Sequence, residues 1–207
     1  MEQVAPMKHA STRTVHAYWE EKRGTRLAPE RADIDPIAIR HALGDTFMLA
    51  ADFVDQLRFR LAGTRVCALF CREIKGEEFS GIWSEQSRKP VADLMTVVTG
   101  EAIGAVAGLT GHAADGATID LELLLLPLAH IGHARIRALG VLAPIAPSYW
   151  IGVKPIAELT LGTLRHLGPE IEQVPAPLQP EVEGRTVRHG FTVYSGGRGT
   201  SSSERTG

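Results

Sequence analysis

The first periodic stretch of the chain starts at Thr14, where Val15, Tyr18, Trp19 and Lys22 recur at helical spacing while Glu20, Glu21 and Arg23 fall on other faces. This predicts a short amphipathic helix ending near Gly24, preceded by a loose arm up to about Thr12. A helix of that length is marginal alone, so its apolar stripe must cover the domain or pair with a second copy. Asp35-Pro36 signals another helix start. The carboxylate can accept from first-turn amides, and proline at the first helical position gives up no needed donor. Ile37, Ile39 and Leu43 supply apolar contacts before Gly44 ends this segment.

Thr46 to Val54 then reads as a largely buried strand, with Asp55-Gln56 as its turn. Leu57, Phe59 and Leu61 alternate with Arg58 and Arg60, which predicts a second strand with one buried and one wet face. Gly63-Thr64 breaks the alternation and opens a helix whose Val66, Cys67, Leu69, Phe70 and Cys71 leave little polar surface. After Lys75-Gly76, residues Glu77 to Trp83 form a short helical piece. Pro90 opens the clearest amphipathic helix, with Val91, Leu94, Met95 and Val98 at i, i+3, i+4 and i+7, ending near Gly100.

Three further strands are expected. Ile103 to Thr110 is rich in small residues. Asp115-Gly116 is a hairpin turn. Thr118 to Leu128 sets Ile119, Leu121 and Leu123 against Asp120 and Glu122, read as a solvated face, and then becomes wholly apolar. Ile136 to Ile145 completes the meander. Ile156 to Leu167 reads as one more helix, and the Pro-, Gly- and Ser-rich remainder as a disordered tail. The predicted fold is an α+β domain: a five-stranded antiparallel sheet with short helices packed on one face, plus the N-terminal helix. The expected division is an arm and helix over 1–30, a core domain over 31–150 and an extension over 151–207.

Composition narrows the function classes. Of 207 residues, 44% are hydrophobic and 22% charged, which is ordinary for a globular domain. With a formal net charge of −2 and its 22 Lys and Arg scattered, the chain has no basic footprint for nucleic acid or a membrane surface. The first residues lack an apolar leader, so the expected location is the cytoplasm, with Cys67 and Cys71 as reduced thiols.

Candidate chemistry is sparse. His130-Ile131-Gly132-His133 spells a nucleotidyl-transfer signature, yet it lies between two strands rather than at a helix start, and two histidines are too few for an ordinary zinc site. Cys67 and Cys71, four apart, fit a redox pair, a metal site or a haem or flavin contact, but they also fit small apolar core residues, the commoner use of free cysteine. The surrounding residues do not match the cysteine motif of flavin-binding light sensors. His41 and His112 would suit a haem, and each also reads as a structural histidine. No catalytic set, metal site or cofactor is identified.

Several motifs together resemble the PAS superfamily. They are Tyr18-Trp19, Arg31-Ala32-Asp33-Ile34-Asp35-Pro36, Arg58-Phe59-Arg60-Leu61-Ala62-Gly63-Thr64, Gly76 with Trp83, and Leu121 to Leu128 followed by Leu139-Gly140. More narrowly, the chain resembles small single-domain alphaproteobacterial PAS-like proteins of uncharacterised function, over roughly residues 15 to 150. Cys71 departs from that pattern, standing where a glycine or similarly small residue is expected. The resemblance implies a sensory or regulatory role, non-catalytic and acting through a protein partner. On this basis the expected ligand pocket lies between the sheet (Phe59, Leu61, Leu121, Leu123) and the helices (Cys67, Phe70, Cys71, Trp83, Leu94, Val98). Its occupant would be a small apolar or amphipathic molecule. Val15, Tyr18 and Trp19 are the expected partner contact, with a homodimer as the simplest assembly. The rival readings are a ligand-free interaction scaffold, its core filled by Trp83 and Phe70, and a small metal-dependent hydrolase using His130 and His133.

Overall fold

The computed structural model describes residues 7–51, 56–129, 136–167, 185–188 and 191–194. The chain divides into two compact units, Met1–Gly168 and Pro169–Gly207. In the first, helix α1 (Ala10–Arg23) precedes strands β1 (Thr46–Ala51) and β2 (Leu57–Ala62). Helices α2 (Thr64–Phe70) and α3 (Glu85–Gly100) follow, joined through a 3-10 turn at Phe79–Ile82. Strands β3 (Gly104–Ala113), β4 (Thr118–Pro127), β5 (Ile136–Pro144) and β6 (Ile156–Leu167) complete the unit. All neighbours pair antiparallel in the order β2-β1-β5-β4-β3-β6. The expected α+β sheet is present, with six strands rather than five.

The leucine run of β4 shows why the sheet holds together. Leu121, Leu123 and Leu125 point to the face carrying α2 and α3, where they meet Phe47, Phe59, Trp83 and Leu94. Leu124, Leu126 and Leu128 point to the opposite face and meet Val15, Tyr18, Trp19, Ile34 and Ile39. A strand covered on both sides carries no polar alternation. The helices α2 and α3 lie on one face as expected, and α1 with the segment after it closes part of the other.

Four elements differ from expectation. The residues after Pro36 form successive tight turns rather than a helix: the amides of Ala38, Ile39, Arg40 and Ala42 each bond a carbonyl three residues back. Asp35 does accept from the Ile37 amide at 2.9 Å. The three-residue repeat sets Ile39 and Ala42 on the sheet and leaves Ile37 71% exposed. Helix α3 starts at Glu85, so Pro90 lies inside it; the carbonyl that Pro90 leaves unmatched belongs to Gln86, which is exposed to water.

The expected helix over Ile156–Leu167 is instead the edge strand β6. Its register against β3 slips twice, between Ala107/Leu109 and His112/Ala113, so that β6 carries an extra residue at each step. These bulges space Ile156 from Leu159, and Leu161 from Leu164, by three residues, which imitates a helical stripe. In the second unit, Arg185–Arg188 pairs antiparallel with Phe191–Tyr194, where the sequence reads as disordered tail. The rest of that tail lies outside the described residues.

Two buried carboxylates fix the start of α1. Glu122, only 5% exposed and not on a solvated face, accepts the backbone amides of Lys8 and His9 at 2.7 and 2.8 Å. Asp45 accepts the Ser11 hydroxyl at 2.5 Å and a two-pronged contact from Arg65, Nε at 2.6 Å and Nη2 at 2.8 Å. Burial alone would raise the Asp45 pKa, but the Arg65 and Ser11 hydrogen bonds and the Arg65 charge outweigh it and hold it below the usual carboxylate range. A lowered folded-state pKa contributes stability that is complete above the unfolded value and is lost as pH falls through the folded one. Denaturation midpoints should therefore fall on acidification below about pH 4. Arg65→Met leaves burial in control and should turn this limb of the profile round, costing about 2–3 kcal/mol at neutral pH. An unchanged acid limb in that variant would rule out the assignment.

Candidate functional site

The residues expected to line a central pocket are mostly brought together, but as packed core. Phe59, Cys67, Phe70, Trp83, Leu94, Val98, Leu121 and Leu123 are all buried in one cluster. Four aromatic rings fill its centre: Phe47, Phe59 and Phe79 contact one another at centroid distances of 5.4 to 6.1 Å, and Trp83 meets Phe79 edge-on at 5.6 Å. The Trp83 indole Nε1, buried among them, has no hydrogen-bond partner among the described residues.

Two of the expected lining residues lie elsewhere. Leu61 is 45% exposed, because β2 bulges at Arg60: Leu49 pairs with Phe59 and Met48 with Leu61. The extra residue reverses the alternation and turns Ala62, not Leu61, toward the core. Cys71 is exposed and caps α2 in the left-handed region at φ +52°. It therefore does not share a helical face with Cys67, whose thiol pKa is pushed up by burial. The left-handed backbone accounts for the expectation of glycine at this position.

The open space lies beside this core. A groove of about 470 Å³ runs between α3 and the ends of β1 and β2. Its α3 wall is the stripe Arg88, Val91, Ala92, Met95, Thr96 and Thr99, at steps of three and four residues. Leu57 and Phe79 form much of the facing apolar wall, with Ala51, Gln56 and Ser80 around them. None of the expected pocket residues lines it. The sequence shows α3 to be amphipathic, but nothing in its spacing tells which flank of the buried stripe borders empty volume.

The polar inventory of the groove is short. The Thr96 and Thr99 hydroxyls donate to the carbonyls of Ala92 and Met95, one turn back in the same helix. Arg88 Nε donates to the Trp83 carbonyl at 3.3 Å. Among the described residues, no acidic residue lines the groove.

The remaining candidates resolve as follows. Val15, Tyr18 and Trp19 are buried against the chain's own sheet, with Trp19 Nε1 donating to the Pro127 carbonyl at 2.8 Å. Their apolar stripe covers the domain and offers no exposed contact to a partner. His112 Nε2 contacts Thr160 Oγ1 at 3.1 Å in a hydroxyl network with Ser84 and Ser87 that ties α3 to β6. His130 and His133 lie outside the described residues, and among the described residues no group of three or more His, Cys, Asp or Glu could hold a metal ion. No helix among them is long and apolar enough to cross a membrane.

Comparison with known proteins bears on the fold. No curated protein matches the chain. Among solved structures, it is similar to the dark structure of the blue-light photoreceptor Aureochrome1 LOV, with 13% identity and a TM-score of 0.42 over 52% of this chain and 80% of that one. It is also similar to the PAS domain of a protein from Colwellia psychrerythraea, with 12% identity and a TM-score of 0.38 over 53% of this chain and 97% of that one. The sequence profile of the PAS domain family matches residues 7–143, from the arm before α1 to the end of β5. The chain belongs to the PAS domain family.

Proposed function

We propose that this PAS domain is a non-catalytic cytoplasmic regulatory module that binds a small apolar or amphipathic molecule and signals through protein contact. The observation that carries this reading is the groove along α3, whose roughly 470 Å³ and mostly apolar walls suit a small ligand. The site differs from the one expected within the core. Native mass spectrometry and an absorption spectrum of freshly purified protein test the reading: a co-purifying ligand supports it.

The closed aromatic core favours a second reading, a ligand-free interaction scaffold. A clean apo mass, with no binding when candidate amphipaths are added, would favour that alternative.

In either reading the partner contact cannot use α1's buried stripe. The segments on the outer sheet face leave a shallow groove over β3, β4 and β6, lined by Gly108, Thr110, Asp120, Thr163 and Arg165. Asp120 and Arg165 flank its central strand with opposite charge, a self-complementary arrangement that suits a second copy related by a two-fold axis. Thr163→Arg should abolish self-association in sedimentation without shifting the denaturation midpoint. Wild-type oligomerisation in that variant would remove this face from the interface.

A further inference from the structure

Among the described residues, the groove along α3 carries one charged side chain, and it is cationic. Arg88 Nε is taken by the Trp83 carbonyl; its Nη1 and Nη2 have no protein partner among the described residues. The threonine hydroxyls already donate to the helix backbone, so a ligand in the groove finds its strongest donor at Arg88. Arg88 also sits near the start of α3, whose dipole favours an anion, with Glu85 in the first turn offsetting part of that effect. From there the wall descends through Val91, Ala92 and Met95 to Thr99, about 16 Å of helix. This shape and charge suit a long, narrow molecule with one anionic end.

Resting on the proposal that the groove binds a ligand, we infer that its ligand class is a linear alkyl monoanion. A carboxylate on the Arg88 guanidinium accepts two parallel hydrogen bonds, and the chain lies along Val91, Met95, Leu57 and Phe79. An alkyl alcohol of the same length fills the same apolar wall but forfeits the ionic contact. An alkylamine places like charge beside Arg88.

The test is calorimetric titration of the full chain with decanoate, decanol and decylamine, each kept below its aggregation threshold. Decanoate should bind about tenfold more tightly than decanol, and decylamine more weakly than either. Shortening decanoate to octanoate should weaken binding about fourfold per methylene removed. Arg88→Met should bring decanoate down to the affinity of decanol and leave decanol unchanged. Ala92→Trp, at an exposed position in the wall, should block both. Equal binding of acid and alcohol, or an Arg88→Met variant that still prefers the acid, overturns the anionic class while leaving the groove as a site. If none of the three probes binds, or if Ala92→Trp binds as the wild type does, the groove itself is not the site and the inference falls with it.

Discussion

Trp19→Ala is expected to destabilise the domain by about 3–5 kcal/mol, the cost of emptying a large buried aromatic site. Trp19 is 3% exposed, and its indole donates to the Pro127 carbonyl at the end of β4. The Arg23 guanidinium lies 5.5 Å from the ring centroid. The substitution opens a cavity under α1 and also leaves a buried carbonyl without its donor. Trp19→Phe separates the two effects: it keeps most of the packing, loses only the hydrogen bond, and should cost about 1–2 kcal/mol. Urea denaturation followed by far-UV circular dichroism measures both. If the alanine variant kept the wild-type midpoint and only changed oligomeric state, α1 would be a partner contact after all and its packing here would be misassigned.

Gly63→Ala should be nearly as damaging for a different reason. The Gly63 backbone is ordinary, with φ −71°. A Cβ there, however, would lie 2.1 Å from the Leu43 carbonyl oxygen and 2.4 Å from that of Gly44. Both obstacles are main chain and cannot rotate away. Gly63 also donates its amide to Thr46 at 2.8 Å and gives its carbonyl to Cys67 at 3.0 Å, so it cannot retreat without releasing both β1 and α2. A loss of about 3 kcal/mol or more is expected, corresponding to a melting temperature roughly 6–12 °C lower for a unit of this size. Gly100→Ala is the control: no atom lies within 4 Å of its added Cβ, and at the end of α3 alanine should stabilise slightly, by about 0.5–1 kcal/mol. A Gly63 variant that melts like the wild type would mean that the β2–α2 junction is looser than described.

Strands β1 to β5 and the two longer helices are legible because their burial is periodic. Val91, Leu94, Met95 and Val98 face the core at their expected spacing, and Asp115-Gly116 makes its turn with Gly116 at φ +89°. What escaped the sequence is local slippage. One extra residue at Arg60 was enough to turn Leu61 outward, and two in β6 gave a strand the apolar spacing of a helix. Periodicity assumes an unbroken repeat, and a bulge leaves no residue type behind to announce itself.

The candidate site was less legible than the fold. Apolar residues on facing elements mark the right neighbourhood, but whether it is filled or empty depends on whether Phe47, Phe59, Phe79 and Trp83 meet in the middle. The buried role of Glu122 was hidden for a related reason. A charged residue in strand alternation looks wet, and its two acceptors were claimed by backbone amides more than a hundred positions away.

Those amides give the residues ahead of α1 a meaning that their composition conceals. Lys8, His9 and Ser11 act as a seam, joining the helix to β4 through Glu122 and to the β1–α2 corner through Asp45. A fragment trimmed to Thr14, where the apolar rhythm begins, would keep Val15, Tyr18 and Trp19 on the sheet yet discard the buried Ser11 and Thr12 and each polar stitch at the leading end of α1. The domain's true margin is set by where its hydrogen bonds are anchored, several residues ahead of the first hydrophobic beat.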